Sequence, residues 1–139
     1  MPQSSVLGPL LFLIYVNDIN SAVPEAEVKL FADDTNMFVR DRDLLGVVNK
    51  TNTHLRSLSE WFLANKLSFS YDKTCFTVFV TKKVRDSDVS IKINSYEISK
   101  VKHCKYLGII IDDELNRTKH IDNIYNKIVR FSGIIYKNA

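Results

Sequence analysis

Two short β-prone runs meeting at a pair of aspartates constrain this chain more than any other feature. Val28-Lys29-Leu30-Phe31-Ala32 precedes Asp33-Asp34, and Thr35-Asn36-Met37-Phe38-Val39 follows. Two such runs around a tight polar turn predict a β-hairpin. Aspartate is an ordinary turn residue, because it tolerates the left-handed region and bonds its own backbone, so a purely structural turn accounts for the pair on its own. The flanking strands are apolar, however, which predicts carboxylates at the edge of a core, where adjacent like charges are costly unless a cation offsets them. A hard divalent ion suits two neighbouring carboxylates, and Mg²⁺ is usually held by one or two of them plus substrate phosphates.

Around the hairpin the pattern is mixed. Gly8-Pro9 opens the run from Leu10 to Val16, whose apolar residues cover nearly every face, so it reads as a buried helix with Pro9 in its first turn. From Asp41 to Asn65, the positions Leu44, Val47, Val48, Leu55, Leu58, Trp61 and Phe62 fall on three-and-four spacing and predict a long amphipathic helix capped by Asp41 or Asp43. Leu67, Phe69 and Tyr71 alternate with polar residues, and Cys75 to Thr81 is rich in β-formers, which predicts a strand pair flanking Asp72-Lys73-Thr74. Lys82 to Asp88 is a charged loop. Val89, Ile91 and Ile93 alternate as a further strand, Asn94-Ser95 turns into Tyr96-Glu97-Ile98, and Tyr106 to Ile111 is a strongly β-prone run ending at Asp112-Asp113. Ile121, Ile124, Tyr125, Ile128 and Val129 form one stripe of a closing helix. The fold class is α+β, with no internal repeat.

Composition sets limits. At 139 residues, 45% apolar and 25% charged, the chain is the size of one globular domain, which excludes a disordered tail and a complete multi-domain enzyme. Residues 1–40 hold two basic and five acidic side chains, a balance of −3, against +6 for the remainder. An acidic pocket beside a basic surface suits an enzyme that holds cations along a polyanion, and a solvated surface gives the same split. Cys75 and Cys104 lack a Cys-x-x-Cys spacing and the chain has three histidines, which argues against a disulfide framework or zinc site and for two buried, reduced thiols. The run from Val6 to Val16 is far shorter than the ~20 residues of a membrane span. No basic segment precedes it, so the expected setting is intracellular, cytoplasm or nucleus, neither secreted nor in a membrane.

Phe31-Ala32-Asp33-Asp34 on a hairpin resembles the Tyr/Phe-Ala-Asp-Asp motif of reverse transcriptases, and the order of its neighbours strengthens the resemblance. Upstream, Pro2-Gln3-Ser4-Ser5-Val6-Leu7-Gly8-Pro9 with Tyr15-Val16-Asn17-Asp18-Ile19 resembles the family's Pro-Gln-Gly-Ser-x-Leu-x-Pro segment and its helix. Downstream, Trp61-Phe62, Asn65-Lys66-Leu67-Ser68 and Asp72-Lys73-Thr74 resemble the next block, and Lys105-Tyr106-Leu107-Gly108 with Ile111-Asp112 the one after it. The wording is nearest to the non-long-terminal-repeat retrotransposons of animals, the jockey-like or LINE-like group.

The resemblance implies the carboxyl-side part of a polymerase palm, an antiparallel sheet with helices on one face, over residues 1–112, and a helix leading into the thumb or connection over 113–139. It implies that Asp33 ligates catalytic Mg²⁺, with Mn²⁺ as the alternative ion, and that Asp34 supports it. Pro2, Gln3, Ser4, Ser5, Phe31, Ala32 and Lys73 would line the nucleotide and template pocket, and Tyr106, Leu107 and Gly108 would steady the primer. RNA template, DNA primer and deoxynucleoside triphosphates are the implied partners. Taken by themselves, Lys73 is an ordinary solvated lysine and Tyr106 an ordinary core aromatic.

Two departures qualify this expectation. Ser4 stands where the family has a glycine that lets backbone approach ligand closely. The family's further catalytic aspartate and its fingers belong to sequence before the Pro-Gln segment, with which this chain begins. The 139-residue chain alone is therefore expected to be inactive, to lack a sheet neighbour, and to associate with itself through uncovered apolar surface. A second function class is a retrotransposon remnant that binds nucleic acid weakly and without sequence preference, since Lys66 to Lys105 holds nine basic and four acidic residues with Tyr71, Phe76, Phe79 and Tyr96 between them. A phosphatase built on a strand-end aspartate is disfavoured, because the acidic pair sits in a hairpin rather than before a helix.

Overall fold

The structure, a computed structural model, describes residues 7–32, 34–79 and 89–137, with side chains described to residue 133. In chain order the elements are α1 (Leu7–Tyr15), α2 (Ile19–Ala22), β1 (Glu27–Phe31), β2 (Asp34–Phe38), α3 (Leu44–Ala64), a 3₁₀ turn (Tyr71–Lys73), β3 (Cys75–Phe76), β4 (Ile91–Ile93), β5 (Tyr96–Lys100), β6 (His103–Tyr106), β7 (Ile109–Asp112) and α4 (Thr118–Lys137). They fall into two units, Met1–Thr74 with Val89–Ile98, and Cys75–Asp88 with Ser99–Ala139.

The first unit is organised by α3. Asp43 caps it, its carboxylate accepting from the Gly46 N–H, as Asp residues do for the unpaired amides of a first turn. Asp41 instead pairs with Lys50 at 2.8 Å, and that ammonium holds the Asp41 carboxyl below its ordinary value. Both carboxylates crowd Gly46, where a Cβ would lie 2.8 Å from Asp41 Cγ, so a larger residue there would have to push the Asp41 and Asp43 side chains aside. The buried stripe of α3 comprises Thr51, His54, Leu55 and Leu58. Leu58 packs with Ile19, Val23 and Val28, and Leu30, Met37, Trp61, Phe62 and Phe69 close around this cluster. Two polar ties hold β4 and its turn to the same helix: the Lys92 N–H donates to Asn52 Oδ1 and Asn94 Nδ2 to Ser59 Oγ, each at 3.0 Å.

Leu58 is 2% exposed and touches three elements, so Leu58→Ala is expected to cost about 2–5 kcal/mol through lost burial and the cavity left behind. Denaturant unfolding measures this; a loss under about 1 kcal/mol would contradict its place at the centre of the core.

In the second unit, β3 runs parallel to β5, Cys75 opposite Ser99 and Phe76 opposite Lys100. The hairpin β6–β7 turns at Leu107 (φ 49°) and Gly108 (φ 84°), two successive positive-φ residues as in the type I′ turns that suit strand twist. Asp112 is buried and accepts from the N–H groups of Glu114 (3.2 Å) and Asn116 (2.6 Å), so its carboxylate shapes the exit from β7. His120 Nδ1 accepts from the Ile110 N–H at 3.3 Å and ties α4 to β7.

Several expectations are corrected. The described strands form three small sheets, one containing a parallel pair, rather than one antiparallel sheet. The helix over Leu10 to Val16 forms as α1, yet none of its residues is buried: Leu10, Leu11, Leu13 and Ile14 stay exposed, and only the following Val16 enters the core. Leu67 to Ser70 is not a strand, because no described strand pairs with it; the alternation survives as half-buried Leu67, Phe69 and Tyr71 against exposed Ser68 and Ser70. Tyr106 to Ile111 is two strands around a turn, since Leu107 and Gly108 take positive φ. Cys75 is exposed and Cys104 half-buried, both free; partial burial and the neighbouring Cys104 push the Cys75 thiol up, away from reactive thiolate. Lys82 to Asp88 lies outside the described residues. No described helix is long and apolar enough to cross a membrane.

Candidate active site

The β1–β2 hairpin is regular and tight. Glu27 faces Phe38, Val28 faces Met37, Lys29 faces Asn36, Leu30 faces Thr35 and Phe31 faces Asp34, which leaves Ala32 and Asp33 as the two connecting residues. Ala32 takes φ 51°, the left-handed conformation a two-residue hairpin loop requires. Side chains directly opposite one another share a sheet face, and buried Val28 with half-buried Leu30 and Met37 marks the inner one. Glu27, Lys29, Phe31, Asp34, Asn36 and Phe38 therefore share the outer face.

This register corrects the expected placement of Asp34. Asp34 is exposed on the outer face beside Phe31, which is 60% exposed, rather than at the rim of the core. Asp34 has no hydrogen-bond or ion-pair partner among the described residues, whereas Glu27, on the same face, bonds Lys29 at 2.9 Å, and this lysine lowers the Glu27 carboxyl. A carboxylate left open beside an acidic neighbour in the sequence is a hard, anionic donor set of the kind a divalent cation takes. Asp33 itself lies outside the described residues, and those described contain no cluster of three metal-ligating side chains. A shallow depression lined by Pro24, Glu25, Ala26, Glu27, Phe38, Val39 and Arg40 sits at the open end of the hairpin, away from the acidic turn.

The other residues implied by the resemblance are distributed as follows. Pro2, Gln3, Ser4 and Ser5 lie outside the described residues. Phe31, Ala32 and Asp34 come together at the hairpin tip. Lys73 is exposed in the 3₁₀ turn of the same unit, and no ion pair joins it to Asp34 among the described residues. Tyr106, Leu107 and Gly108 do form a turn, in the other unit, and Gly108 is demanded by its backbone conformation, since nothing lies within 4 Å of where its Cβ would be.

Two features were missed in the sequence. The outward aim of Asp34 follows from its pairing with Phe31, and the sequence reading, which put Asp34 in the turn itself, did not contain it. A row of rings running from Trp61 through Phe62, Phe69 and Tyr71 to Tyr96 was not readable either, because its last contact joins residues far apart in the chain.

The sequence matches the family described as "Reverse transcriptase (RNA-dependent DNA polymerase)" over residues 1–111. It is 27% identical to the "RNA-directed DNA polymerase from mobile element jockey" of Drosophila melanogaster over 97% of this chain and 16% of that protein. Identity to the protein of the same description from Drosophila funebris is 29%, over 89% of this chain and 14% of the relative. The "Probable RNA-directed DNA polymerase from transposon X-element" of Drosophila melanogaster is 27% identical over 92% of the chain and 14% of its own length. The chain thus spans about a seventh of these curated relatives. No solved structure matches it. With the family's match running through the acidic hairpin and both blocks that follow, the chain belongs to the reverse transcriptases, among those of jockey-like, non-long-terminal-repeat retrotransposons.

Proposed function

We propose that this chain is the carboxyl-side palm portion of an RNA-directed DNA polymerase, with residues 1–112 forming palm and primer-side strands and 113–139 beginning the thumb or connection. The observation that carries this reading is the β1–β2 hairpin, whose two-residue turn bears Asp33 and whose register puts Asp34 on an open face within the stretch that matches the family. Asp33 is the principal metal ligand and Asp34 the supporting carboxylate. Asp33 and Asp34 would hold Mg²⁺, which would supply activation of the primer hydroxyl and charge stabilisation for the leaving pyrophosphate. Pro2, Gln3, Ser4 and Ser5 line the nucleotide and template side with Phe31 and Ala32. Lys73 faces the triphosphate, and the rigid Leu107-Gly108 turn beside Tyr106 steadies the primer.

In this reading RNA template, DNA primer and deoxynucleoside triphosphates meet the chain inside the cell, in cytoplasm or nucleus. The 139-residue polypeptide by itself extends no primer, because it supplies one acidic pair of the set that the resemblance implies, and its open apolar faces make it self-associate. The excess of nine basic over four acidic residues from Lys66 to Lys105 supports a salt-dependent affinity for nucleic acid even without catalysis.

Metal binding tests the assignment without recourse to activity. In a titration followed by Mn²⁺ paramagnetic resonance, the wild-type chain is expected to bind Mn²⁺, and Asp33→Asn/Asp34→Asn to weaken that binding about tenfold or more. Equal binding by the two proteins would sink the assignment.

A further inference from the structure

Resting on the reading that this chain works on nucleic acid, we propose that the stacked pair Tyr71–Tyr96 is a platform on which a base of an unpaired strand stacks. The pair ends a row of rings whose geometry changes along its length. Trp61 meets Phe62 edge-on, at 5.5 Å and 84°, and Phe62 meets Phe69 at 4.6 Å and 57°. These three rings close around the buried cluster of Leu58, Ile19, Val23 and Val28. Phe69 then meets Tyr71 at 6.1 Å and 33°, and Tyr71 meets Tyr96 at 4.3 Å and 21°, a nearly parallel stack. The tilted contacts lie in the core and the parallel one lies at the surface, where Tyr96 is 57% exposed.

Tyr96 lies directly opposite fully buried Ile93, on the sheet face that carries Ile91 and Ile98 at 4% and 5% exposure, and yet keeps more than half of its own surface in water. It therefore offers surface to a ligand beyond any cover it gives the core.

Both rings ride on pinned backbone. Tyr71 sits in a turn held by Lys73 N–H to Ser70 O (3.1 Å), Thr74 N–H to Ser70 O (3.0 Å) and Thr74 Oγ1 to Ser70 O (2.8 Å). Tyr96 follows the Asn94-Ser95 turn, which Asn94 anchors to Ser59 on α3. A preordered ring pair binds without the entropy loss of ordering it. Base stacking on aromatics also tolerates any sequence, because every base has a π-face.

The charge fits a polyanion. Lys73 lies on the same turn as Tyr71, Lys66 is exposed just beyond α3, and neither has a carboxylate partner among the described residues. Asp72 on that turn opposes phosphate, so stacking rather than charge dominates at this spot.

Anisotropy of a nanomolar labelled 20-nucleotide oligothymidylate, titrated with the chain up to about 100 μM at a series of salt concentrations, tests the platform. Tyr96→Leu, which keeps apolar cover and removes the π-face, is expected to lower affinity about tenfold while leaving the salt slope and the melting temperature unchanged; Tyr96→Phe retains wild-type binding. Steep, salt-dependent binding that is equal in wild type and Tyr96→Leu would overturn the platform and leave the nucleic-acid reading standing. No binding by the wild-type chain at low salt would overturn both.

Discussion

At micromolar concentration the 139-residue chain is expected to sediment as associated species, and Ile124→Asp/Ile128→Asp is expected to weaken that association about tenfold or more. The cause is an apolar helix face with too little packed on it. Along α4, Ile121, Ile124, Tyr125, Ile128, Val129 and Phe131 are each 42–66% exposed, and the first turn is tied to β7 through His120. Leu7, Leu10, Leu11, Leu13, Ile14 and Tyr15 of α1 are 44–66% exposed as well. Covering the open half of such a side chain returns on the order of 1 kcal/mol. An α4–α4 contact covers six such side chains on each copy, which offsets the roughly 4 kcal/mol or more that association costs in lost freedom. Two aspartates on α4 remove part of that surface and add like charges that face each other across the contact. A monodisperse wild-type monomer by sedimentation or light scattering would contradict the prediction.

The second large effect concerns the acidic turn. In an active polymerase built around this chain, Asp33→Asn is expected to reduce primer extension about 10³-fold, the scale on which loss of one preorganised electrostatic group raises a barrier. Asparagine keeps the shape of aspartate and its tolerance of turn geometry, so the hairpin survives while the negative charge is lost. Asp34→Asn is expected to cost less, because Asp34 lies on β2 opposite Phe31 and only supports the ion. Equal losses at the two positions would contradict the division of roles. Far-ultraviolet circular dichroism and melting temperature separate loss of charge from loss of fold.

Local pattern carried much of the fold into view. The three-and-four spacing from Leu44 to Phe62 and the aspartate before it specify α3 and its Asp43 cap, because helix period and capping are properties of neighbouring residues. The existence of the hairpin was equally legible, but its register was not: the two runs put the turn at Asp33-Asp34, whereas Phe31 pairs with Asp34, which belongs to β2. Pairing between distant segments was not legible either. Leu67 to Tyr71 has strand periodicity but pairs with no described strand, and Cys75–Phe76 pairs in parallel with residues more than twenty positions away, which no window of sequence reveals. Burial failed for α1 in a related way: a helix apolar on every face reads as buried, yet burial depends on what lies against it. At the proposed site the family resemblance of Asp33 and Asp34 was visible in their neighbours, while the outward aim of Asp34 needed the register. The Tyr71–Tyr96 stack depended on a fold-level contact and could not be read in advance.

The most direct measurement places this chain in a working enzyme. A jockey polymerase in which residues 1–111 of this chain replace the matching stretch should extend a DNA primer on an RNA template with Mg²⁺, and Asp33→Asn should lower that extension about 10³-fold without changing the melting temperature. A folded chimera that extends primers equally well with asparagine at position 33, or that extends none with aspartate there, would contradict the assignment of the acidic hairpin as the catalytic centre.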